Sequence, residues 1–187
     1  MLMDTIQQNF GTPLEGYVMI NFQGFREIVA LLGGVDIYAE KEIWDSKYPD
    51  DRGGEITIHI PAGQQHMDSE TLLRYCRSRY STDDFDRAAR QQKALLALAG
   101  KFLSLQMFPR LPQLLQTMGH TVYTDLEPEE IVRLVQIASQ VDPGQARSVV
   151  IDRSLLDPSQ RQPGDEPDLL YPDWEKIHAL IDEMFSE

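Results

Sequence analysis

A single cysteine, Cys76, stands in the 187 residues. A lone thiol excludes an intrachain disulfide framework and a cysteine-rich zinc site. Histidine is sparse too, and His59, His66, His120 and His178 show no metal-ligand spacing. No run approaches the roughly 18–20 uninterrupted apolar residues that cross a bilayer. Residues 1–10 lack the basic-then-apolar order of a secretory signal, so the chain as it stands reads as soluble. Glycine (12) and proline (11) are too few for a fibrous or low-complexity chain. Bases number 17 against 30 acids, a net charge of −13, which argues against general nucleic-acid or anionic-membrane binding. What is present is a globular composition, 42% apolar and 25% charged, long enough for one substantial core.

The hydrophobic pattern alternates strand and helix. Gly16–Phe22 reads as a strand apolar on both faces, as a central strand is. Residues 23–32 read as a helix with Phe25, Ile28, Val29 and Leu32 on one face, closed by Gly33 and Gly34. Val35–Tyr38 is a short strand, Trp44–Gly54 a polar exposed loop, and Glu55–Ile60 a half-buried strand ended by the turn Pro61–Gly63. Asp68 caps a helix beginning at Ser69. A longer helix runs from about Asp84 to Leu105, its buried face formed by Phe85, Ala88, Leu95, Leu96, Phe102 and Leu103. Beyond it come a short helix at Leu111–Met118, a strand at Thr121–Tyr123, a helix opened by Pro128 and carrying Ile131, Leu134, Val135 and Ala138, and a strand at Ala146–Ile151. A surface loop at Pro158–Pro167 follows, then a last helix opened by Pro172, with Trp174, Ile177, Leu180, Ile181 and Phe185 inward. This order predicts an α/β protein: a mixed β-sheet flanked by helices on both faces, an α-β-α sandwich with a C-terminal α/β extension.

The anomaly is a basic island. Arg74, Arg77, Arg79, Arg87, Arg90 and Lys93 face three acids, Asp83, Asp84 and Asp86, between positions 74 and 93 of an otherwise acidic chain. Arg87, Arg90 and Gln91 share a helical face at i, i+3 and i+4. Arg77 and Arg79 diverge if helical and point the same way if extended; a break near Tyr80-Ser81-Thr82 puts Arg79 at or past a helix end. Two guanidiniums about 6 Å apart repel by about 3 kcal/mol at an effective dielectric near 20. Converging arginines therefore need carboxylates or a bound anion, and their planar fork matches phosphate oxygens. Three readings stay open on spacing alone: an arginine–aspartate network on a solvated surface, a phosphate or pyrophosphate site, and a nucleic-acid contact. The last is least supported, because no stacking aromatics are interleaved.

Other features read structurally. Cys76 is an inert core thiol. His66, near the arginines in sequence, can either see a substrate or serve structure. Trp44 in the polar loop can stack on a sugar or simply pack. Asp45, Asp50 and Asp51 lack the order of a calcium loop and read as loop solvation. Gly33–Gly34 ends a helix rather than cradling phosphate, and Asp182, Glu183 and Glu187 form a solvated helix face.

The run LLRYCRSR at 72–79 followed by DFDRAARQQ at 84–92 resembles the signature of LytR-CpsA-Psr (LCP) proteins. YVMINFQGF at 17–25, LGGVD at 32–36 and PAGQQHMD at 61–68 fall in the matching order. The resemblance covers about residues 4–105. It makes 1–108 the C-terminal two-thirds of an LCP-type catalytic core, with 109–187 an extension packed on the same domain. The family's N-terminal third, with its membrane anchor, metal-binding acids and a further arginine, has no counterpart. The resemblance implies a cell-wall glycopolymer phosphotransferase. Such an enzyme moves a glycan from a polyprenyl-pyrophosphate carrier to peptidoglycan on the outer face of the cell membrane, with a divalent metal such as Mg2+. The Mg2+ ligands are expected outside this chain, and no metal residue is assigned within it. The family's Arg-x-Arg pair maps onto Arg77 and Arg79, and its Asp-x-x-Arg-x-x-x-Gln pattern onto Asp84, Arg87 and Gln91, with Arg90 inside. Arg77, Arg79 and Arg87 would clamp the phosphates, with Arg90 and Gln91 also binding pyrophosphate. Asp84 orients an arginine or acts as a base, and its guanidinium neighbours favour orientation. The alternative is a module that binds a pyrophosphate lipid or an envelope partner without turnover, the class to which the family's naming as transcriptional attenuators belongs. Uncovered sheet edges would also invite self-association.

Overall fold

The computed structural model describes residues 2–50, 52–79, 83–104, 119–140, 147–166 and 169–185. The chain divides into two compact units, Gly16–Ala146 and a second one built from both chain ends, Met1–Glu15 with Arg147–Glu187. The stretch expected as a C-terminal extension contributes to both. The protein is α/β as its pattern predicts, and every strand pair among the described residues is antiparallel.

In the larger unit, β1 (Val18–Ile20) pairs with β6 (Val122–Thr124). The expected central strand is thus three residues long, with Val18 65% exposed. Helix α2 (Phe22–Leu31) starts where Asn21 accepts a hydrogen bond from the Gly24 N–H at 2.8 Å. It ends, as expected, at Gly33 and Gly34 with positive φ. A side chain at Gly34 would strike the Met67 carbonyl at 2.7 Å, so the close approach of the next strand requires glycine there. Strands β2 (Val35–Ala39) and β5 (Gly63–Met67) form one antiparallel ladder, with Val35, Ile37, Ala39 and Met67 buried.

Two elements correct the sequence reading. Of the expected loop Trp44–Gly54, the part up to Pro49 is strand: β3 (Ile43–Pro49) pairs with β4 (Glu55–Ile60), while Asp50, Arg52, Gly53 and Gly54 lie outside a strand. A register shift between Asp45 and Tyr48 breaks the alternation that would have marked β3. The polar stretch 63–67, read as following a turn, is β5, of which only Met67 is buried.

Helix α3 (Ser69–Arg77) is capped by Asp68, whose carboxylate accepts from the Thr71 N–H at 2.8 Å, and it buries Leu72, Leu73, Tyr75 and Cys76. Helix α4 (Asp84–Ser104) turns Arg90, Ala94 and Leu98 to the core, a stripe at i, i+4, i+8. Leu95 and Leu96, expected inside, are exposed; the charged member of the stripe disguised it. Val29, Leu32, Val35, Ile37, Ile43, Ile60, Met67, Leu72 and Tyr75 complete this core. Helix α5 (Pro128–Ala138) opens with proline, as expected, and a capping box from Glu127 and Glu130, and its Leu134 is exposed.

In the second unit α1 (Leu2–Phe10) meets α6 (Trp174–Phe185), with Phe10 edge-on to Trp174 at 5.8 Å and the Asn9 carbonyl 2.8 Å from His178 Nε2. Ile177 is its buried residue, while Phe185, expected inward, is exposed. Pro172 bridges to Leu156 rather than opening the helix. Residues 147–151 are irregular, not a strand. Short 3-10 turns occupy Arg153–Leu155 and Pro158–Gln160. The helix expected at Leu111–Met118 lies outside the described residues, as do Ala146, Asp51 and Glu187.

Candidate functional site

α3 ends at Arg77, and Ser78 leaves it in extended conformation, φ −56° and ψ 134°. This is the break that the alternatives for Arg77 and Arg79 required. With one extended residue between them, both arginines reach the same cleft of ≈ 620 Å³, lined also by Phe22, Asp45, Lys47, Pro49, Arg87 and Gln91. Four of the expected site residues, Arg77, Arg79, Arg87 and Gln91, therefore converge.

Each is held differently. The Arg77 guanidinium lies 4.1 Å from the Phe22 ring centroid and 5.3 Å from that of Tyr48, and it donates to the Tyr48 hydroxyl at 3.3 Å. Burial pushes the Tyr48 phenol up, against the opposing pull of Arg77, so the hydroxyl stays protonated. Asp84 stands between the other two arginines, 2.5 Å from Arg87 Nη1 and 3.3 Å from Arg79 Nη2. Asp84 is thus an orienting carboxylate in this geometry, and part of the arginine–aspartate network exists. Asp86 instead pairs with Lys41, and Asp83 accepts from the Asp86 N–H. Gln91 donates to the Cys76 carbonyl at 3.1 Å.

Arg90 does not line this cleft. It is 8% exposed, its guanidinium lies over the Tyr75 ring at 5.7 Å, and it donates to the Ser78 carbonyl at 2.6 Å. It borders a smaller cavity of ≈ 140 Å³ with Glu40, Lys41, Asp86 and Lys93. Burial lowers its pKa from the ordinary arginine value, as removing a cation from water does.

Asp45, read as loop solvation, is 2% exposed and accepts hydrogen bonds from the Ser78 hydroxyl and the Lys47 N–H. No local motif links Phe22, Tyr48 or Asp45 to the arginines, so sequence spacing does not place them at the site. The signal for Asp45 was its place between Ile43 and the buried Tyr48.

The histidines serve elsewhere: His59 pairs with Glu42, His66 with Asp36, and His178 with the Asn9 carbonyl. Trp44 tilts against His59 at 5.0 Å. Among the described residues no group of three His, Cys, Asp or Glu side chains could hold a metal ion. Nor is any described helix long and apolar enough to cross a membrane.

The same segment order recurs in known proteins. The chain is 27% identical over 136 residues to the polyisoprenyl-teichoic acid–peptidoglycan teichoic acid transferase TagU of Enterococcus faecalis, covering 72% of this chain and 42% of that protein. It is 27% identical to TagV of Bacillus subtilis, a transferase of the same description, covering 73% of this chain and 35% of TagV. The chain thus spans about two-fifths of the length of these curated relatives. The crystal structure of B. subtilis TagV superposes with a TM-score of 0.70 at 22% identity, over 98% of this chain and 69% of that one. TagT bound to LIIa-WTA gives 0.67 at 18% identity, over 99% and 67%. Both show the same fold. Residues 1–161 match the LytR_cpsA_psr family, and the chain belongs to it.

Proposed function

We propose that this chain carries the pyrophosphate-binding part of a cell-wall glycopolymer phosphotransferase, acting on a polyprenyl-pyrophosphate-linked glycan with peptidoglycan as acceptor, at the outer face of the cell membrane. The observation that carries the reading is the convergence of Arg77, Arg79, Arg87 and the neutral donor Gln91 on one cleft. Phosphoryl transfer needs positioning and neutralisation of developing negative charge more than covalent chemistry. In the proposed step an acceptor hydroxyl oxygen forms a bond to the glycan-bearing phosphorus while the bond from that phosphorus to the bridging oxygen breaks. The lipid phosphate leaves and the hydroxyl proton passes to water. The arginines hold the phosphate oxygens throughout. Asp84, shared between Arg79 and Arg87, sets where those two guanidiniums point. A divalent metal is given no part in these steps. The exposed apolar strand Val18–Ile20 fits self-association as part of the same proposal.

Titration of the chain with inorganic pyrophosphate tests the site. Each charge-assisted hydrogen bond contributes about 1.5–3 kcal/mol, so Arg79→Ala is expected to weaken binding at least about tenfold. Wild-type affinity in that variant overturns the assignment. A transfer assay with lipid-linked glycan then separates the two functional classes: release of lipid phosphate marks the enzyme, and retention without release marks a binding module.

A further inference from the structure

Ser78 sits between the two cleft arginines, and each of its polar groups is engaged. Its N–H donates to the Arg74 carbonyl at 2.9 Å. Its hydroxyl donates to Asp45 Oδ2 at 2.8 Å, and its carbonyl accepts from Arg90 Nη2 at 2.6 Å. The same Asp45 oxygen lies 3.3 Å from the Arg79 N–H, which donates to it. All three residues are buried, Asp45 at 2%, Ser78 at 0% and Arg90 at 8% exposure. Asp45 comes from β3 and Arg90 from α4, so two separate elements place opposite charges on one residue of the α3 exit.

Burying either charge is costly without such partners. Neither has the place or sign of a ligand contact. Asp45 is an anion in the wall of a cationic cleft, and Arg90 borders the other cavity. We infer that Asp45 and Arg90 are positioning residues that grip Ser78 from its two sides and so fix the directions in which Arg77 and Arg79 enter the phosphate-binding cleft. The backbone explains why this matters. If residue 78 continued the helix, Arg79 would stand about 200° around the axis from Arg77. The extended ψ of 134° keeps both on one side.

The brace itself is independent of the pyrophosphate reading; its effect on binding rests on that reading. The experiment compares the whole 15N-labelled chain with its Asp45→Asn variant, by amide hydrogen exchange and by titration with inorganic pyrophosphate. Removing a negative charge from the cleft strengthens anion binding if Asp45 acts only through its field. The brace predicts the opposite sign, about tenfold weaker binding, and faster exchange at the Arg79 amide with the interior amides of α3 and α4 unchanged. It also predicts that Asp45→Asn weakens binding less in the Arg79→Ala background than in the wild type, because part of the coupling runs through Arg79. Unchanged or tighter binding, or a full effect in the Arg79→Ala background, overturns the inference. If the wild-type chain binds no pyrophosphate, the proposed function falls and the Arg79 amide alone decides the brace. Should Asp45→Asn fail to fold, Ser78→Ala removes the hydroxyl without changing charge and is read the same way.

Discussion

Arg77 and Arg79 illustrate two ways of holding a cation ready. Arg79 shares Asp84 with Arg87, so part of its field is already spent on a carboxylate. Arg77 is steadied by two aromatic rings and a neutral hydroxyl, which keeps its full charge for an incoming anion. Cys76, one residue before it, shows the reverse situation. Burial pushes this thiol up to about 12, and the thiolate is the reactive form. The folded chain is therefore expected to resist iodoacetamide at pH 8 for hours and to react at once in denaturant. Mass spectrometry of alkylated peptide checks this, and labelling of folded protein at the rate of an exposed thiol contradicts it.

α3 shows how far local signals reach. Its cap, its acidic first turn and its apolar stripe are all written within ten residues, and the apolar face and closing glycines of α2 are equally local; both helices were legible. The Asp68 carboxyl is held below its ordinary 3.8 chiefly by hydrogen bonds from Thr71. A group with a lowered folded-state value stabilises above its unfolded value and loses that contribution as pH falls through the folded one. Asp68→Ala is accordingly expected to cost about 1 kcal/mol near neutrality, a difference that shrinks in acid; urea unfolding at pH 7 and pH 3 measures both. Strand β3 escaped notice because its register shift and buried Asp45 break the alternation on which strand reading depends. Its evidence is long-range, in pairing with β4 and in bonds to Ser78 across 33 residues. The site divides in the same way. Arg77, Arg79, Arg87 and Gln91 follow from local spacing, whereas Phe22, Tyr48 and Asp45 arrive through tertiary packing. Arg90 was legible as a member of the cluster but not in its direction. Positions 87, 90 and 91 span about 100° of helix, enough for one edge to turn into the core.

At the scale of the molecule, a chain of net charge −13 presents a cleft lined by three arginines and a lysine. Attraction of a polyanion to that cleft works against the acidic surround, and salt screens both, with a Debye length of about 10 Å at 0.1 M and about 3 Å at 1 M. Contacts at hydrogen-bond distance are screened least. Pyrophosphate affinity is thus expected to fall only a fewfold across that range, while the association rate changes little or rises as the repulsive surround fades. Stopped-flow titration reads both, and a steep fall in the rate would place the binding cations on the outer surface instead. The second unit, assembled from residues 1–15 and 147–187, carries a consequence for biosynthesis. Asn9 meets His178 and Phe10 meets Trp174, so α1 is synthesised well before the helix it packs against. Until α6 is made, Phe10 lacks that ring partner, a window in which a chaperone has something to hold.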